Sequence, residues 1–191
     1  MVKLLDKVSF NPDNGDHLIF AGDIINKGPD SLGVVELARK YSASCVRGNH
    51  EDRILLLRKQ MTASNTLTDD SDEILPAESH RSKAHRERQL ARQLNNQQAK
   101  WLDNCPVILN VGPIHGMGQV VVVHAGLVPG VALEKQDPSS VMNMRTIDVD
   151  TQVPSPHREG TPWSQVRRLV VLPVLCSEIM QSFLILLPLA L

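Results

Sequence analysis

Short apolar runs alternate with longer stretches of helical periodicity along most of this chain. Residues 18–21, 43–46 and 119–123 are apolar and partly β-branched, and polar residues follow each run at once. This pattern is typical of strands that are buried in a sheet. Because strands and helical stretches alternate, the chain is predicted to adopt an α/β fold of packed layers.

Three helices are predicted between these runs. The first is capped by Asp30 or Ser31 and continues to about Tyr41, and the others cover residues 52–61 and about 83–103. The last of them is polar on most faces and carries a narrow apolar stripe. Each helix would pack its apolar side against the sheet layers.

Residues 62–82 are mostly Ser, Thr, Asp and Glu, with little to bury. Such a composition predicts a solvated loop or a lid over a neighbouring site.

Composition excludes several classes of partner and site. The 191 residues suffice for one domain with a real core, and 20 basic against 21 acidic residues give no overall field that would attract nucleic acid. Cys45, Cys105 and Cys176 are too widely spaced for a thiolate metal site or a disulfide framework. Residues 1–10 show no secretory signal, which favours the cytoplasm over a vacuolar or membrane-associated location.

Polar residues follow three of the predicted strands directly. Gly22-Asp23 follows the first, residues 47–52 (Arg-Gly-Asn-His-Glu-Asp) follow the second, and His124-Ala125-Gly126 follows the third. In layered α/β proteins, ligands bind outside the carboxyl ends of strands. We therefore expect these loops to converge on one crevice.

This set of side chains suits metal-assisted hydrolysis of a phosphate compound. Asp23 offers two hard oxygens to divalent cations, Asn49 offers an amide oxygen, and His124 offers an imidazole nitrogen. Two cations can clamp a phosphate group and lower the pKa of a bridging water.

The other polar residues have matching roles, and each has a simpler explanation as well. His50 could protonate the leaving oxygen, while Arg47 and Lys27 neutralise the phosphate oxygens. Taken alone, Asp23 is a turn residue, His124 a core histidine, and both cations surface charges. The occurrence of all these residues together, each after a predicted strand, is far less easily explained by separate turn, core and surface roles.

The three motifs, in this order, resemble the calcineurin-like metallophosphoesterase family. They are Gly22-Asp23 with Asn26-Lys27-Gly28-Pro29-Asp30-Ser31, then residues 47–51, then residues 123–127. The resemblance covers about Leu4 to Trp163. It implies a layered β-sandwich flanked by helices, with two divalent metal ions (Mn, Zn or Fe) at the strand ends.

The resemblance also implies a role for each matching residue. Asp23 corresponds to the carboxylate that bridges the metals, and Asn49 and His124 to ligands of the second metal. His50 corresponds to the general acid, and Arg47 to an arginine that contacts the phosphate. A metal-dependent phosphohydrolase that cleaves phosphoester or phosphoanhydride bonds is the function that follows.

Within the family, the chain resembles the branch of serine/threonine protein phosphatases, symmetrical diadenosine tetraphosphatases and endopolyphosphatases. Protein phosphatases of this branch have Asp-Arg where this chain has Asn26-Lys27. This difference favours polyphosphate or dinucleotide polyphosphate over phosphoprotein substrates. Arg145 is a candidate second phosphate ligand.

Two family motifs have no match in this chain. Gly-Asp-x-His-Gly would lie before Met1, and a late Gly-His that completes the second metal is absent after Trp163. We therefore expect residues 1–163 to form a partial domain with weak or no activity. The alternative function is a catalytically inactive phosphate-binding or interaction protein.

Residues 164–191 differ in composition from the rest and predict a divergent apolar tail. Residues 169–191 are as long as the ~20 residues that span a bilayer, which would allow a membrane anchor. Pro173, Glu178 and Pro188 interrupt that stretch. We therefore favour a truncated or misassembled gene product over an anchor.

Overall fold

The computed structural model describes residues 1–67 and 79–166, together with two short backbone strands in the C-terminal tail. The side chains of residues 79–82 and of the tail strands lie outside this description. The helices are α1 (Val2–Lys7), α2 (Ser31–Lys40), α3 (Asn49–Ala63), α4 (Ser79–Gln93), α5 (Asn96–Asp103) and α6 (Pro138–Asn143). The strands are β1 (Asp16–Phe20), β2 (Ser44–Cys45), β3 (Ile108–Ile114), β4 (Gly118–Val123), β5 (Thr146–Ile147), β6 (Pro154–Ser155), β7 (Val174–Leu175) and β8 (Leu184–Pro188).

These strands form two three-stranded sheets and one small hairpin sheet. In the first sheet β1 lies between β2, to which it is parallel, and β8, to which it is antiparallel. In the second sheet β4 lies between antiparallel β3 and parallel β7. The hairpin of β5 and β6 is a separate small sheet, and its Ile147 shares an apolar cluster with Val121 and Val123 of β4.

The two larger sheets pack face to face. Ile19 and Val46 from the first sheet share one apolar cluster with Val122 from the second. Leu18 and Phe20 point the other way, into a larger core with the helices. Because the central strands β1 and β4 are covered on both faces, their buried residues 18–20 and 120–123 form continuous apolar runs. The predicted sandwich flanked by helices is confirmed.

The prediction of one continuous helix over residues 83–103 is wrong. The chain forms α4 and α5 instead, with a break before Asn95. The Asn95 side chain accepts from the Gln98 N–H at 2.8 Å, and the Gln98 side chain accepts from the Asn95 N–H at 3.0 Å. This reciprocal capping box starts a new helix.

The other helix predictions need smaller corrections. Asp30 caps α2 by accepting from the Gly33 N–H at 2.7 Å, as predicted. The helix predicted from residue 52 begins at Asn49, so Asn49 and His50 stand in its first turn. Of the loop predicted over residues 62–82, residues 68–78 lie outside the described part.

Two segments of the predicted tail are strands. β8 pairs with β1 along its whole length, and β7 pairs with β4. These segments therefore extend the sheets rather than forming a separate helical anchor. Among the described residues, no helix is long and apolar enough to cross a membrane. The boundary at residue 163 stays a prediction.

Candidate metal and phosphate site

The loops that follow β1, β2 and β4 meet around one carboxylate, that of Asp23. His124 Nε2 lies 3.3 Å from Asp23 Oδ1, and the backbone N–H of His50 donates to the same oxygen at 3.2 Å. Because β4 belongs to the second sheet, the site forms where the two sheets and the start of α3 come together. The predicted convergence of Asp23, His50 and His124 is therefore observed.

Two glycines allow the loops to approach this closely. A Cβ on Gly22 would lie 2.7 Å from His124 Nδ1, and Gly22 has a φ of +84°. A Cβ on Gly48 would lie 2.6 Å from both the backbone nitrogen and Oδ1 of Asp23. Side chains at either position would push the loops apart.

Asp23 is buried and has a strained backbone. Its φ is 55°, a left-handed conformation that few residues other than glycine adopt, and such strain is concentrated at functional sites. Burial raises the pKa of Asp23, but the charge of His124, a hydrogen bond from Lys27, and the charge and backbone N–H of His50 outweigh burial. The pKa of Asp23 therefore lies below its usual value. Asp23 is therefore held as an anion.

The orientation of His124 is fixed by a backbone carbonyl. Its Nδ1 lies 2.8 Å from the carbonyl oxygen of Ala21, which can only accept, so Nδ1 carries a proton. The other ring nitrogen, Nε2, then faces the Asp23 carboxylate. In a neutral imidazole this nitrogen is an acceptor, and a cation shared with Asp23 would satisfy both groups.

The buried side-chain oxygen of Asn49 is a third candidate metal ligand. Asn49 Oδ1 has no hydrogen-bond partner, and Asn49 precedes His50, whose N–H contacts Asp23. Buried acceptors seldom lack a partner, and a cation would provide one. Residues 1–67 and 79–166 contain no group of three or more His, Cys, Asp or Glu suited to a metal. The set of Asp23, Asn49 and His124, with its amide oxygen, nevertheless fits a divalent cation.

His50 and Lys27 lie on the open side of Asp23. Lys27 Nζ is 2.6 Å from Asp23 Oδ2, and His50 Nε2 is 3.7 Å from the same oxygen. Burial lowers the pKa of His50, and the negative charge of Asp23 raises it. The charges of Lys27, Arg53 and Lys83 lower this pKa as well, so it lies below its usual value. The half-exposed Lys27 thus places a positive charge between Asp23 and solvent.

Glu51 joins the first two loops and was missed by sequence reasoning. Its Oε2 accepts from the N–H groups of Asp23 at 2.8 Å and Gly48 at 2.9 Å, and its Oε1 accepts from Ile25 at 3.2 Å. Burial and the charge of Asp23 raise the pKa of Glu51 to about 7 despite these bonds. A Glu three residues after Gly48, at a helix start, was the available signal.

Arg47 and Arg145 make other contacts than those predicted for them. The Arg47 guanidinium donates to the backbone carbonyl of Asp103 and lies 3.6 Å from Asp52 Oδ1. A phosphate group would have to compete with these acidic residues. Arg145 Nη1 donates to the carbonyl of Met144 at 3.3 Å. Both phosphate-binding roles stay predictions.

Glu87 of α4 reaches the edge of the site, and no local pattern in the sequence indicates it. Its Oε1 accepts from Asn26 Nδ2 at 3.2 Å and lies 3.1 Å from Arg53 Nη1. Because Asn26 stands three residues after Asp23, this contact ties α4 to the first site loop.

Comparison with known families agrees with this geometry. The profile of the calcineurin-like phosphoesterase family matches residues 1–174. A solved structure of a candidate diadenosine tetraphosphatase superposes with a TM-score of 0.70 and 29% identity, covering 91% of this chain and 66% of the other.

Curated relatives carry two kinds of name. The symmetrical bis(5'-nucleosyl)-tetraphosphatase of Nitrosospira multiformis is 30% identical over 143 residues, or 70% of this chain and 41% of the relative. Serine/threonine-protein phosphatase 1 of Salmonella typhimurium is 38% identical over 72 residues, or 38% of this chain and 33% of the relative. The chain thus spans well under half the length of these relatives.

Proposed function

Because the chain belongs to the calcineurin-like phosphoesterase family, we propose that it is a metal-dependent phosphohydrolase acting on phosphoester or phosphoanhydride bonds. The observation that carries this proposal is the meeting of Asp23 with His124 Nε2 at 3.3 Å. Asn49, whose buried side-chain oxygen is unpaired, directly precedes His50, and the His50 N–H contacts the same carboxylate. An anion, an imidazole nitrogen and an amide oxygen together form a ligand set for a divalent cation.

Asp23, Asn49 and His124 would hold a Mn, Zn or Fe ion, and the family resemblance implies a second ion beside it. Such ions supply Lewis-acid chemistry, which activates water and neutralises phosphate charge. The chain's own residues do the rest. His50 is 22% exposed beside Asp23 and is placed to give a proton to the leaving oxygen.

Lys27 would bind the phosphate group. In the structure its ammonium balances the Asp23 charge, and its side chain is 53% exposed. A cation bound to Asp23 would repel Lys27 and make it available to an incoming anion. Lys27 is therefore suited to hold a phosphate oxygen next to His50.

The substrate we propose is a dinucleotide polyphosphate or polyphosphate, rather than a phosphoprotein. Asn26-Lys27 differs from the Asp-Arg of protein phosphatases. The relative that matches over 70% of this chain is named a symmetrical bis(5'-nucleosyl)-tetraphosphatase, which supports the same choice.

The test is hydrolysis of an aryl phosphate by purified protein with and without added Mn²⁺. We expect weak, metal-dependent turnover. It should be lost in Asp23→Ala and kept in Asp13→Ala, since Asp13 is an exposed carboxylate on the turn before β1. Metal-independent turnover, or full activity in Asp23→Ala, would contradict the proposal.

One observation favours a second candidate, a phosphate-binding protein without catalytic metals. The Lys27 ammonium already pairs with Asp23 at 2.6 Å, so the carboxylate has a cation of its own. Metal content separates the two candidates. Stoichiometric phosphate binding by protein that retains no metal after equilibration with Mn²⁺ or Zn²⁺ would favour this second one.

A further inference from the structure

Helix α4 is held against the site by one carboxylate with two partners. Glu87 Oε1 accepts from Asn26 at the first site loop and pairs with Arg53 of α3. The Glu87 side chain is only 11% exposed, whereas that of Arg53 is 56% exposed. We call the nearly buried Glu87 contact the anchor of α4. The Arg53 guanidinium, on its solvent side, remains accessible.

Helix α4 carries a lysine one turn away from this anchor. Lys83 precedes Glu87 by four residues, so it lies one turn away on the same face of α4. Arg53 likewise follows His50 by three residues on α3. Both cations therefore lie next to Glu87, Arg53 through a direct contact of 3.1 Å and Lys83 through its position one turn away on α4.

We propose that Lys83 and Arg53 form a second phosphate subsite, which binds the outer phosphate of a substrate with two or more linked phosphate groups. This inference rests on the proposed function, and it adds a reason for preferring chains of phosphates to single esters. Lys27 takes the reacting phosphate beside Asp23, and the next phosphate extends over His50 towards α4. An Arg guanidinium has five N–H donors and can bind Glu87 and an anion together.

Asn26 is matched to Glu87 in this arrangement. The amide nitrogen of Asn26 donates to Glu87 at 3.2 Å, whereas an aspartate there would place a second carboxylate against it. Two facing carboxylates repel, and α4 would move away with Lys83. The amide at position 26 is thus a positioning group for the second subsite.

Calorimetric titration with inorganic tripolyphosphate and orthophosphate, at a fixed free Mn²⁺ concentration, tests the subsite. We expect wild-type protein to bind tripolyphosphate more tightly, and Lys83→Gln to reduce the ratio of the two affinities about three- to tenfold. Lys40→Gln is the matched control, since exposed Lys40 ends α2 about 15 Å from the helix start next to the site loop.

The outcomes separate this inference from the proposed function. Suppose that the protein binds orthophosphate and hydrolyses aryl phosphate, but Lys83→Gln leaves the ratio of tripolyphosphate to orthophosphate affinity unchanged. This result would overturn the subsite and leave the proposed function standing. Binding of neither anion would overturn both.

An exchange of amide and carboxylate tests the positioning role. Asn26→Asp should lower the affinity ratio, and the double variant Asn26→Asp with Glu87→Gln should restore it, because one amide and one carboxylate again face each other. A double variant no better than Asn26→Asp, in protein of wild-type helix content, would contradict the role of this pair.

Discussion

Replacing Glu51 by alanine should both destabilise the protein and weaken its metal site. The change leaves the buried N–H groups of Asp23, Ile25 and Gly48 without their acceptor. Each unpaired donor costs about 1–3 kcal/mol. Part of this loss is offset, because burial beside Asp23 already makes the ionised Glu51 unfavourable and raises its pKa to about 7. We therefore expect the free energy of unfolding to fall by about 3 kcal/mol.

Urea unfolding followed by circular dichroism measures this loss. The control is Asp52→Ala, the next carboxylate on α3, whose 31% exposed side chain lies 3.6 Å from Arg47. That change should cost less than about 1 kcal/mol. Because Glu51 holds the Asp23 and Gly48 loops together, Mn²⁺ affinity should also fall by about 10- to 100-fold. Equal stability of the two variants, or unchanged Mn²⁺ affinity in Glu51→Ala, would refute this reasoning.

Three further predictions concern other contacts. In Gly48→Ala the new Cβ would lie 2.6 Å from Asp23 Oδ1. This variant should lower the free energy of unfolding by about 1–3 kcal/mol and weaken Mn²⁺ binding, and calorimetry that finds normal binding would contradict the prediction. Asp30→Ala, which loses the cap on α2, should cost about 1 kcal/mol in urea unfolding, and an unchanged midpoint would count against the cap. Contact with the Cys105 thiol and burial raise the pKa of Cys45, so iodoacetamide should label Cys45 only after unfolding, and peptide mass spectrometry that finds rapid native labelling would disprove it.

The local pattern of the sequence predicted the part of the site that depends on strand ends. A buried strand that stops at a glycine and a polar residue marks the point where a loop leaves the sheet. Asp23, His50 and His124 all stand at such points, and the structure brings them together. Periodicity did not predict that β1 and β4 belong to different sheets.

Long-range contacts explain what the sequence did not reveal. The neighbours of Arg47 in the chain predict a contact with phosphate, and they give no sign that its guanidinium contacts Asp103, 56 residues away. Glu87 reaches Asn26 from a distance of 61 residues. The break before Asn95 is different, because its capping-box signal is local, while the apolar stripe continues across it and favours a single helix.

The most direct test of this account is the position of a bound metal ion. Anomalous diffraction from crystals grown with Mn²⁺ would locate it. We expect a peak about 2.0–2.3 Å from an Asp23 carboxylate oxygen, Asn49 Oδ1 and His124 Nε2, with Lys27 displaced from Asp23. A manganese peak elsewhere, or none while Lys27 still pairs with Asp23, would contradict the account.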